Sequence, residues 1–167
     1  MGLVAASILP AAAQSVNIFA SYGGITQMDC VDNHDNWDNV HTAWGAVNAG
    51  IYFRVAPKFS IGPSYTFSST ATDGGKVASH IAYHAILFNG KYDYYRRGSL
   101  TLYAHAGLGV EISHMMPKFS DSYNKAYFAG QISPLGLNVK ISRGFNFFGE
   151  VGFGAQGIVQ LGFSADL

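Results

Sequence analysis

Charge is scarce in this chain of 167 residues: Asp, Glu, Lys and Arg together make up 12%, roughly half of what water-soluble domains carry. The ten acids and ten bases cancel, which leaves no basic footprint for nucleic acid. A single cysteine, Cys30, excludes an internal disulfide. Long apolar runs are missing too. The longest, near the N-terminus, falls well short of the ~18 to 20 residues of a membrane helix. Phosphate-loop and zinc-cluster patterns are absent, and no cofactor is expected. What is abundant is apolar surface, at 49% of residues, with twenty glycines and 14% aromatics. A chain too uncharged for water and without a spanning helix has one route into lipid, a closed barrel of strands.

The opening "MGLVAASILPAAAQS" reads as the end of a secretory apolar segment followed by small residues, with cleavage expected between Ala13 and Gln14. Residues 1–13 are therefore set aside as a signal-peptide remnant, and 14–167 are read as one barrel domain.

From Gln14 onward the hydrophobic period is two. "SVNIFASYG" puts Val16, Ile18, Ala20 and Tyr22 on one face; "TAWGAVNAGIYFRV" puts Val47, Ala49, Ile51, Phe53 and Val55 opposite Trp44, Asn48, Gly50, Tyr52 and Arg54. "FSIGPSYTFS", "HIAYHAILFNGKYDY", "LTLYAHAGLGVEIS", "AYFAGQISPLGLNVKIS", "FFGEVGFGAQ" and "GIVQLGFSADL" supply six more strands. The fourth is apolar on both faces, so its phase stays open, and the sixth slips phase near Ser133 and Pro134, the mark of a bulge. Links after strands one, three and five are long and polar, and those after two, four and six are short, the alternation of an outer-membrane barrel. The short "AQG" after strand seven breaks that rule. The sequence predicts an all-β, eight-stranded antiparallel up-and-down transmembrane β-barrel.

Charge orients the faces. Arg54, Glu111, Lys140 and Glu150 all fall on the polar, glycine-rich face, and a soluble barrel needs many more charges outside than this face offers. Turned inward, the four would pair as an interior polar network, with glycines leaving room for Tyr52, Tyr103 and Trp44. Tyr22, Tyr92, Tyr94 and Tyr127 suit an interfacial girdle. Eight strands enclose an interior that side chains fill, so a wide pore is not expected.

The last strand resembles the C-terminal strand of bacterial outer-membrane barrels, in which a polar residue is followed by glycine two positions on and by apolar or aromatic residues at the fifth and seventh. Gln160, Gly162, Ala165 and Leu167 hold those positions, with Ala165 and Leu167 where aromatics are usual. Together with "QISPLGLNV" (131–139) and "FGEVGFGAQGIVQLGFSADL" (148–167), this chain resembles the small eight-stranded outer-membrane β-barrel family, in plan like OmpX and the transmembrane part of OmpA. The resemblance implies a Gram-negative outer membrane, contact with its lipid and lipopolysaccharide, delivery by the barrel assembly machinery reading that last strand, and a monomer.

Other chemistry is weaker. Asp29, Asp32, Asp35 and Asp38, at three-residue spacing in the first long link, could hold a divalent cation, although the spacing is not that of an EF-hand; Trp37 beside them could touch a surface partner. His80, His84, His105 and His114 supply histidines, and Ser68, Ser69 and Asp73 lie near an expected barrel rim, but no local motif joins a nucleophile to a base. The expected role is structural or surface-interactive, through exposed loops, rather than enzymatic. A lipid-modifying enzyme in the membrane and a soluble lipocalin-like carrier are the alternatives.

Overall fold

The computed structural model describes residues 15–27, 40–41, 44–74, 77–117 and 122–167. Eight strands form the barrel: β1 (Val16–Gly24), β2 (Ala46–Ala56), β3 (Phe59–Gly74), β4 (Val77–Arg97), β5 (Leu100–Pro117), β6 (Tyr123–Ser142), β7 (Phe145–Gly154) and β8 (Val159–Asp166). Every neighbouring pair is antiparallel, and the meander closes where β8 meets β1, with Asn17 opposite Asp166. A two-residue rung, Val40–His41, adds to the end of β3 opposite 71–72. Closure pairs the backbone on both sides of every strand over the height that all eight share.

The faces are inverted relative to a soluble protein. Ile86, Phe88, Leu108, Phe128 and Ile132 are each 61–68% exposed, while Asn89, Glu111 and Gln131 are 1–2% exposed. The apolar face that the two-residue period marks out is the outer one. On β8 this gives outward Val159, Leu161 and Phe163 and inward Gln160, Gly162 and Ser164.

The phase of β4 is now fixed. Ile81, Tyr83, Ala85, Leu87, Asn89 and Asp93 point inward, and the strand is apolar on both faces because Ala85 and Leu87 pack with Ala129 and Ala155 in a dry interior cluster. The bulge of β6 is present: register shifts between Ile132 and Leu135, so inward Gln131 and Ser133 are followed by inward Gly136. The polar stretch around residues 69–79, read as a loop from its composition, is instead strand on both arms, with only residues 75–76 between β3 and β4. Polar side chains do not end a strand when the hairpin ladder continues.

The wall is uneven. β3 to β6 run 16 to 21 residues, while β7 and β8 run 10 and 8. Residues 155–158 fold inward at the top of this low side, where Ala155 and Gln156 are almost wholly buried. This accounts for the short "AQG" link. Beside it Gln27 spans from β1 to β6, its Nε2 donating to the Phe128 carbonyl at 3.2 Å and its Oε1 accepting from the Gly130 amide at 3.3 Å.

Candidate functional site

The interior divides into a plug and a vestibule. The plug begins with an aromatic layer in which Phe19 stacks on Tyr52 at 5.2 Å and meets Phe148 edge-on at 6.0 Å. Inward glycines make this possible: a Cβ on Gly50 would lie 2.6 Å from the Phe19 ring, and one on Gly136 would lie 2.4 Å from the Tyr103 ring.

Glu150 from β7 sits against this layer. Its carboxylate accepts from the Tyr103 hydroxyl at 2.8 Å and from Gln160 Nε2 at 3.5 Å, and lies 2.9 Å from His105 Nδ1. His105 Nε2 is 3.0 Å from Asn89 Oδ1, while the Asn89 amide nitrogen donates to Ser64 Oγ at 2.8 Å. The imidazole thus stands between the Glu150 carboxylate and the Asn89 side-chain oxygen, one on each ring nitrogen. The remaining free space among these side chains is about 10 Å³, too little for a chain of water molecules. Above it the inturned link closes the bore: the Gln156 amide donates to Gln131 Oε1 at 3.0 Å, Gln156 Nε2 donates to Ser64 Oγ at 2.9 Å, and Asn48 Nδ2 donates to the Gln156 carbonyl at 3.2 Å.

Below the plug, at the end of the short turns, the barrel opens into a cavity of about 330 Å³. Arg54, Lys91, Arg96, Lys140, Asp93 and Asp166 line it with serine, threonine and asparagine side chains. Asp93 binds Arg96 at 2.6 Å and lies 3.9 Å from Arg54. Lys91 stands at the floor, its Nζ 4.3 Å from the Tyr103 ring centre and 5.5 Å from that of Tyr52.

The four charged residues expected to form one network are thus spread over three levels. Arg54 and Lys140 line the vestibule, Glu150 lies in the plug, and Glu111 is buried on the loop side, opposite Ala85 and Tyr127. The structure pairs Glu150 with His105 and Arg54 with Asp93. Sequence pattern alone does not mark Asp93, His105 and Lys91 as members, since His105 reads as one polar residue among several and Asp93 and Lys91 lie on a strand that is apolar on both faces. Gln160 and Gly162 face inward, and a Cβ on Gly162 would meet the Ala20 carbonyl at 2.4 Å and the Phe148 ring at 2.8 Å. Leu167 is exposed and Ala165 is half-buried. Ala13, Gln14, Asp29, Cys30, Asp32, Asp35, Trp37 and Asp38 lie outside the described residues.

Two aromatic residues sit elsewhere than expected. Trp44 is 42% exposed beside Tyr22 and Phe67, because Gly45 takes a left-handed φ of 96° and breaks the alternation just before β2. It donates from Nε1 to Ser69 Oγ at 2.6 Å and accepts the Tyr22 hydroxyl on its carbonyl. Tyr127 packs with the inward Ile81 and Tyr83 rather than in a girdle. Outside, Tyr65 and His84 are joined at 2.6 Å on the loop side, while Tyr92, Tyr94, Tyr95, Phe59 and Phe145 are exposed near the turns.

No protein-family model matches the sequence, and neither does any curated protein. Among solved structures, the N-terminal β-barrel domain of Pseudomonas aeruginosa OprF superposes with a TM-score of 0.52 at 15% identity, covering 92% of this chain and 97% of that one. Ail, the attachment invasion locus protein of Yersinia pestis, in complex with the heparin analogue sucrose octasulfate, gives 0.49 at 11% identity over 92% of this chain and 94% of the other. Ail alone gives 0.48 at 12% identity over 92% and 93%. The OprF likeness concerns the fold: this chain is a small, closed, eight-stranded antiparallel β-barrel.

Proposed function

We propose that this protein is an integral outer-membrane barrel whose plugged interior is a scaffold and whose long-stranded wall meets partners at the cell surface. The observation that carries this reading is the inverted burial: apolar side chains cover the outside, and polar ones fill the inside. Water would not tolerate so broad an apolar exterior, whereas lipid requires it. The aromatic levels fit the same medium. From His84 to Tyr92 along β4 the outward residues rise by about 20 Å, at ~3.3 Å per residue and a tilt near 40°, close to the ~25 Å apolar band of such barrels.

β3 to β6 continue beyond the Tyr65–His84 level, which supports a surface-contacting role on that side. The loop-side girdle is where lipopolysaccharide would pack, and the last strand, with Gln160 and Gly162, is what the assembly machinery would read. The experiment is gel mobility in SDS, unheated against boiled, on protein extracted from membranes. A closed barrel resists SDS until heated and shifts its mobility; identical mobility together with recovery in the soluble fraction would overturn the membrane reading.

A further inference from the structure

The vestibule at the turn end holds more cationic than anionic charge, and both its acids are already engaged. Asp93 is taken by Arg96 at 2.6 Å, with Arg54 at 3.9 Å. Asp166 accepts from Asn17 Nδ2 at 2.7 Å and Asn146 Nδ2 at 3.1 Å. Among the described residues no carboxylate pairs with Lys91 or Lys140. Lys91 is held over two tyrosine rings, which attract an ammonium without consuming its N–H donors. A cation kept at the floor of a recessed cavity calls for an anion. The cavity, at about 330 Å³, is roomy enough for one, and its wall offers hydroxyl and amide donors besides.

We propose that this vestibule is a binding site for a phosphate group, held between Lys91 at the floor and Lys140 on the wall, with Arg54 and Arg96 as the flanking positive field. A tetrahedral anion with several acceptor oxygens can take two ammoniums and the surrounding hydroxyls at once. The site goes beyond the scaffold role and rests on the closed barrel alone, so it stands or falls separately from the surface-contact reading. Two sources carry this chemistry: the headgroup of an anionic phospholipid, since the mouth lies at the level of the turn-side tyrosines, and a soluble phosphate ester.

The test is calorimetric titration of the full chain, folded in an uncharged detergent, with inorganic phosphate at constant ionic strength. One molecule should bind per barrel, and Lys140→Gln and Lys91→Gln should each weaken binding about tenfold, or ~1.4 kcal/mol. Lys58→Gln, an exposed turn residue outside the cavity, should change nothing. Lys140 is exposed, so its variant keeps the test valid should Lys91→Gln fail to fold. No binding, or equal weakening by Lys58→Gln, overturns the site. Titration with glycerol phosphate and with short-chain phosphatidylglycerol then separates the sources: tighter binding of the lipid assigns the site to a headgroup, and equal binding assigns it to the soluble ester.

Discussion

Glu150 is held by Tyr103, His105 and Gln160 at 6% exposure, so each partner removed leaves a buried polar group short of a contact. Leaving a buried hydrogen-bonding group without its partner costs about 1–3 kcal/mol, and more where the group is charged. Glu150→Ala and His105→Ala are each expected to lose that much, while the double variant loses less than the two together, since neither group is then left without the other. Arg54→Ala should cost about 0–1 kcal/mol, because its pairing with Asp93 is long at 3.9 Å and its side chain is 37% exposed. Urea unfolding followed by fluorescence in detergent micelles measures all four. Equal losses at Arg54 and Glu150 would mean that one network spans plug and vestibule after all. The sequence placed Arg54, Lys140, Glu111 and Glu150 on one face, and that is as far as alternation reaches. It says which way a side chain points and nothing about its height along the bore, and height is what sets partners here.

At the scale of strands, much more was legible. A period of two survives wherever the outer face is apolar and the inner one polar, so β1, β2, β5 and β8 could be read directly. Three features escaped, each for its own physical reason. β4 lines the apolar cluster of Ala85, Leu87, Ala129 and Ala155, which removes the contrast between its faces. The polar composition around residues 69–79 hides a ladder that continues past Thr70. The inturned link at 155–158 is stabilised by long-range bonds to Gln131, Ser64 and Asn48, which no local pattern encodes. The outer face itself can be tested by depth. Phe88 and Leu108 are register partners on β4 and β5, midway between the aromatic levels, whereas Tyr92 lies at the turn-side level. Leu108→Arg should cost about 2–4 kcal/mol in lipid vesicles, and Tyr92→Arg about 0–1. Equal and small costs at both positions would show that neither faces hydrocarbon.

The whole molecule has two unlike ends. Both described termini lie with the short turns, where Val16 and Leu167 are bonded backbone to backbone, and there Arg54, Lys58, Lys91, Arg96, Arg97, Lys140 and Arg143 outnumber Asp93 and Asp166. The opposite end carries the extended parts of β3 to β6. Short turns translocate nothing, so a barrel inserted from inside the envelope leaves them inside and sends the long-stranded end out. Orientation can therefore be read with a membrane-impermeant maleimide on intact cells. In a Cys30→Ser background, a cysteine placed at the exposed Ser122, next to β6 on the long-stranded side, should react at once. One at the exposed Ser99, in the turn between β4 and β5, should react only after the outer membrane is permeabilised. The reverse pattern would put the vestibule outside the cell and make its phosphate ligand an extracellular one. Labelling of both sites without permeabilisation would mean that the chain does not span a sealed membrane, and that its apolar exterior is covered by something other than lipid.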